Sequence, residues 1–92
     1  MSKYRRRVVA VDAFQWVGEL DEERDPEWIF HAIETRVAVV GRHHNGTPLM
    51  FFRTLDSHCI ARPGYWIVRD SDGRIYPLSA SVFRALYEPV ET

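Results

Sequence analysis

Hydrophobic and polar positions alternate along most of this chain with the period of β-strands, and only two stretches carry a helical period. From Tyr4 to Trp16, Val9, Val11 and Ala13 fall on one side of an extended strand, with Val8, Phe14 and Trp16 on the other. Both faces are partly apolar, which predicts a strand inside a sheet rather than at its rim. Gly18 ends it. Asp25-Pro26-Glu27 reads as a helix start: an acceptor at the N-cap, proline at the first helical position and an acid in the first turn. Trp28, Ile29, Ala32 and Ile33 then give one apolar face over about nine or ten residues, short enough to need a sheet to dock on.

Val37 to Val40 is a continuous apolar run, and His43-His44-Asn45-Gly46 separates it from a return strand, Leu49 to Leu55. Asn-Gly between two such runs predicts a hairpin. His58 to Ala61 forms another extended piece, stopped by Pro63-Gly64. Tyr65 to Asp70 and Arg74 to Leu78 bracket Ser71-Asp72-Gly73, a second hairpin, in which aspartates are expected to serve the turn. Ser79 to Leu86 places Val82, Phe83 and Leu86 at helical spacing, and Tyr87 to Val90 follows as an extended tail. The expected fold is α+β. It is a twisted, mainly antiparallel sheet of five or six short strands, with a partial barrel as the limiting case, plus one or two short helices. Residues 1–92 form a single small domain, without repeat or linker.

Composition agrees with one core. The 92 residues are 46% hydrophobic and 13% aromatic, with five Gly and five Pro, which excludes collagen-like or disordered character. No apolar run is long enough to span a bilayer. The formal net charge of −1 excludes the basic excess of a dedicated duplex-DNA binder. Of the twelve basic residues only Lys3 is lysine, a bias toward planar, bidentate contacts. Lys3, Arg5, Arg6 and Arg7 open the chain, and Glu19, Asp21, Glu22, Glu23, Asp25 and Glu27 crowd the next stretch. The single cysteine, Cys59, and the lack of a signal-like apolar segment point to a cytoplasmic location.

Candidate chemistry is sparse. His43 and His44 are adjacent and would point to opposite faces of a strand, so at most one could join His58, and no metal site is expected. Asp56, Ser57, His58 and Cys59 contain hydrolase residue types, but successive strand residues diverge, leaving a small hydrolase around His58 and Cys59 as an alternative only. The isolated glycines make no phosphate loop, and no cofactor is expected. Two binding readings remain. Tyr65 and Trp66, after the Pro-Gly turn, with Arg53, Arg62, Arg69 and Arg74, are candidate interface residues of the types enriched at protein hot spots. The same residues, with the basic arm Tyr4, Arg5, Arg6 and Arg7, could instead hold a nucleotide or single-stranded nucleic acid. An exposed strand edge would also suit a homodimer.

Two segments resemble a known family. Lys3-Tyr4-Arg5-Arg6-Arg7-Val8-Val9-Ala10-Val11-Asp12-Ala13-Phe14-Gln15-Trp16 resembles the KYRKKPVVVEAFQW opening of small phage and prophage proteins. Pro63-Gly64-Tyr65-Trp66-Ile67-Val68-Arg69-Asp70, Gly73-Arg74-Ile75-Tyr76-Pro77, Phe83 and Tyr87-Glu88-Pro89-Val90 resemble the ending of the same group, named for its Pro-Gly-Asp-Tyr signature. The likeness covers about half the chain and leaves Gly18 to Leu55 unmatched. Tyr65 stands where that family has its acid, Leu78 where it has cysteine, and Ser81 where it has a later aspartate. The resemblance implies a phage or prophage accessory protein of the bacterial cytoplasm. Such a protein would act without catalysis, by binding a host or phage protein, with inhibition of an antiviral defence complex (anti-CRISPR-like) as the expected class of role.

Overall fold

A computed structural model describes residues 2–3, 10–53 and 58–90 of the chain, with the His58 side chain left out. The basic arm Tyr4, Arg5, Arg6 and Arg7, the first half of the expected opening strand, and Asp56 and Ser57 lie outside the described residues. The elements run β1 (Asp12–Gln15), α1 (Glu27–Glu34), β2 (Ala38–Arg42), β3 (Pro48–Arg53), β4 (His58–Ala61), β5 (Trp66–Arg69), β6 (Ile75–Leu78) and α2 (Ala80–Leu86). The fold is α+β with short strands, as expected. The strands form two three-stranded antiparallel sheets, ordered β1-β5-β6 and β2-β3-β4, and no closed barrel.

The division into two sheets follows from the Arg62–Tyr65 corner. Tyr65 N–H donates to the Arg62 carbonyl (3.0 Å), closing a turn with Pro63 and Gly64 at its centre. The Gly64 amide donates to the Trp16 carbonyl (2.7 Å), and the Trp16 amide to that of Tyr65 (2.9 Å). The chain therefore leaves β4 and enters β5 as the partner of β1 instead of folding back on β4.

Both expected hairpins form, and they are built alike. In one, His43 N–H donates to the Thr47 carbonyl (2.8 Å) and Gly46 N–H to that of His43 (2.8 Å); in the other, Asp70 N–H donates to Arg74 (2.9 Å) and Gly73 N–H to Asp70 (3.0 Å). Each is a three-residue loop whose last residue is left-handed, with φ of +91° at Gly46 and +84° at Gly73, a conformation glycine adopts without strain. Asp70 serves the turn, its Oδ1 accepting from the amides of Asp72 (2.9 Å) and Arg74 (3.0 Å).

One core joins the sheets. Trp16, Ile29, Ala32, Ala38, Met50, Phe52, Ala61 and Ile67 are buried together, with Phe14, Trp28, Cys59, Tyr65 and Ile75 packed at its margin. Cross-strand partners share a face, so Phe14 and Ile67 put one face of the β1-β5-β6 sheet toward this core. The other face carries Trp66 and Tyr76 and is covered by α2, whose Phe83 stacks on Trp66 at 4.2 Å.

Two expectations are corrected. Among the described residues β1 lies at the edge of its sheet, not inside it. Its apolar character on both faces reports layers above and below the sheet, not strands on both sides. Asp25 does not cap α1. The N-cap is Pro26, and the Asp25 carboxylate turns back, accepting from the Asp21 amide (2.9 Å) while Asp25 N–H donates to the Asp21 carbonyl (2.8 Å). Arg24, half-exposed, bonds the same buried carboxylate.

Candidate functional site

The β2-β3-β4 sheet has one face in the core and one toward solvent. Register places Ala38, Phe52 and Cys59 in one row and Val40, Met50 and Ala61 in another, both on the core side. Ala38, Phe52, Met50 and Ala61 are buried there. The alternate row, Val39, Phe51 and Ile60, points outward. Val39 and Ile60 are each 47% exposed, and Phe51 is half-buried with its ring against Gly41. Val40, at the sheet margin, is 48% exposed although it shares the core-side row. Apolar exposure in a continuous row across three strands differs from scattered surface valines, and such patches mark interaction surfaces.

Basic residues mark the two ends of this sheet, with Arg42 on the same side of β2 as Ala38 and Val40. No aspartate or glutamate occurs between Thr35 and Leu55, while Arg36, Arg42 and Arg53 all lie there with His43 and His44. Arg36, Arg42 and Arg53 are exposed. Arg53 is across the ladder from Val37, since its amide donates to the Val37 carbonyl (3.0 Å), and so stands near Arg36 at one end of the sheet. Arg42 stands at the other, one of its Nη groups donating to the Gly46 carbonyl (2.9 Å). The acidic stretch Glu19–Glu34 lies before this segment, on α1 and the loop leading to it.

The expected interface residues do not form one face. Tyr65 packs at the margin of the core, whereas Trp66, its neighbour on the pleat, points the other way under α2. Arg69 is on the α1 side of its sheet, where its guanidinium lies over the Trp28 ring (5.3 Å) and bonds Asp12 (2.7 Å). Arg62 is exposed at the corner turn, Arg74 at the second hairpin and Arg53 at the end of β3. Arg69 joins a shallow groove of about 470 Å3 that also includes Phe14, Arg24 and Trp28. Both of its arginines are paired with aspartates, Arg24 to Asp25 and Arg69 to Asp12. The hydrogen bond to Asp25 raises the Arg24 pKa further, fixing its charge.

The histidines correct one expectation. His43 and His44 do not diverge; their rings are 3.9 Å apart, because His44 lies in the turn and escapes the strand's alternation. Among the described residues no three His, Cys, Asp or Glu side chains converge. Cys59 is half-buried against the core.

The outer row went unrecognised in the sequence reading, although its signal was present. Val37 to Val40 does not alternate, so both faces of β2 are apolar, yet only one can meet a core this small. No family model, curated protein or solved structure matches the chain.

Proposed function

We propose that this chain is a non-catalytic accessory protein of phage or prophage type that acts in the bacterial cytoplasm by binding a host protein, with a component of antiviral defence as the favoured class of target. The observation that carries the binding reading is the exposed row Val39, Phe51 and Ile60, with exposed Arg36 and Arg53 at one end of the sheet. A branched-apolar surface with exposed arginines at its end suits a protein partner better than a small polar substrate. The phage setting rests on the resemblance of the two end segments. Arg53 is the one interface residue expected from sequence that borders this row, while Tyr65 and Trp66 support the fold beneath.

The nucleotide or single-strand reading has its best location in the groove of Trp28, Arg24 and Arg69. Its cations are already neutralised by Asp25 and Asp12, which lowers what an anion would gain there. The hydrolase reading would rest on Cys59, which packs toward the core.

The experiment is quantitative interaction proteomics in a bacterial host expressing the tagged chain or its Val39→Ser/Ile60→Ser variant. Both side chains are half-exposed on the outer face, so the variant is expected to fold. One host protein recovered stoichiometrically by the parent chain and lost by the variant is the expected result. Identical recoveries from the two would contradict the proposal.

A further inference from the structure

The outer edge of β2 differs from those of β6 and β1. In the β5–β6 ladder Asp70 N–H donates to the Arg74 carbonyl (2.9 Å), so by alternation Pro77, paired with Ile67, directs its ring nitrogen away from β5. Proline thus blocks the outer edge of β6, where a donor would otherwise face outward. β1 carries Asp12 and Gln15 along its length. β2 carries no such block. The bonds Arg53 N–H to Val37 and His43 N–H to Thr47 fix the odd-numbered residues as those facing β3. Val40 and Arg42 therefore present N–H and C=O groups outward, whereas Ala38, which alternation turns the same way, is fully buried, and no described residue pairs with that edge as a strand.

We propose that this edge takes an extended, acidic segment of a partner protein as an added antiparallel strand, with apolar side chains meeting Val39 and Val40 and carboxylates meeting Arg36 and Arg42. The proposal rests on the binding function above and names how that surface reads its partner. Added strands gain affinity from main-chain hydrogen bonds and specificity from alternate side chains. The charge pattern selects the occupant. A second copy paired two-fold about Val40 would set Arg42 across from Ala38 and diagonal to Arg36 of the other copy, bringing arginines together with no carboxylate from Thr35 to Leu55 to meet them. A nucleic acid would meet three arginines but little aromatic platform, since Phe52 is buried and Phe51 lies half-buried against Gly41. A partner strand that brings its own acids satisfies both the apolar centre and the basic ends.

The test is an amide chemical-shift titration of the full chain with three probes: an acetylated, amidated hexapeptide of alternating Glu and Val, its Lys–Val counterpart, and an oligothymidylate. The expected result is that Glu–Val shifts the amides of Val40 and Arg42 first, that added salt weakens it, and that Lys–Val binds at least about tenfold more weakly. Val40→Pro, which copies in β2 the block Pro77 makes in β6, abolishes the response because its amide is outside the β2–β3 ladder. Should that variant fail to fold, Arg36→Glu/Arg42→Glu provides the same decision by reversing the peptide preference. Equal binding of the two peptides overturns the proposal. So does tighter binding of oligothymidylate at the same amides, or concentration-dependent shifts of this edge without any peptide, which would mean self-pairing. A cellular partner lost by Val39→Ser/Ile60→Ser but kept by Val40→Pro would leave the binding function standing and remove the edge from it.

Discussion

The ring of Phe83 lies flat on the indole of Trp66, with 4.2 Å between centroids and 4° between planes. This contact, with the Tyr76–Tyr87 hydroxyl pair at 3.2 Å, docks a seven-residue helix that is too short to persist alone. Phe83→Ala removes a half-buried ring and its stacking partner, so a loss of about 1–2 kcal/mol is expected. Urea unfolding followed by tryptophan fluorescence measures it. Hydrogen exchange should show α2 loosened while α1 stays protected; an unchanged midpoint would mean α2 docks by other contacts.

Arg36 sits at φ +63° just past the end of α1, where Arg36 N–H donates to Ile33 (3.2 Å) and Val37 N–H to Ala32 (2.9 Å). This is a Schellman closure with arginine in the position glycine favours. Arg36→Gly relieves about 1–2 kcal/mol of left-handed strain and returns part of it through the freer unfolded chain. The net expectation is a gain of about 0.5–1 kcal/mol by denaturant midpoint. The same substitution should weaken Glu–Val peptide binding, placing stability and binding in opposition at one residue.

Partial burial, then the hydrogen bond with Tyr87, hold the Tyr76 phenol well above the ordinary tyrosine value of 10. The unfolded chain releases this proton near pH 10 while the folded chain keeps it. Its contribution is therefore fully present below pH 10 and is lost as the pH rises beyond. Melting temperature is expected to fall as the pH rises above about 10, and less steeply in Tyr76→Phe. Identical slopes in the two proteins would assign the alkaline loss to other groups.

Local rules made most of the fold legible. Asn45-Gly46 and Asp72-Gly73 marked both hairpins, and Pro63-Gly64 marked the corner, because those turns depend on residues within four positions of each other. What local reading cannot supply is which layers a two-sided strand lies between. The two apolar faces of β1 fit an edge strand between two layers as well as a strand inside the sheet, and the Asp25 carboxylate beside Pro26 closes the preceding loop instead of capping the helix. The candidate site divided in the same way. The arginine excess was visible in composition, but grouping Tyr65 with Trp66 ignored the pleat, which sends neighbours to opposite faces. The row Val39, Phe51 and Ile60 exists only through the register of three strands.

The proposed working surface is the outer face of the β2-β3-β4 sheet and the edge of β2, which no described residue pairs as a strand. Hydrogen–deuterium exchange of the full chain, alone and with its recovered host partner, locates the contact. New protection is expected across residues 39–42 and at Ile60, with α2 and the β1-β5-β6 sheet unchanged. Protection confined to α2, or to the groove of Trp28 and Arg69, would contradict it.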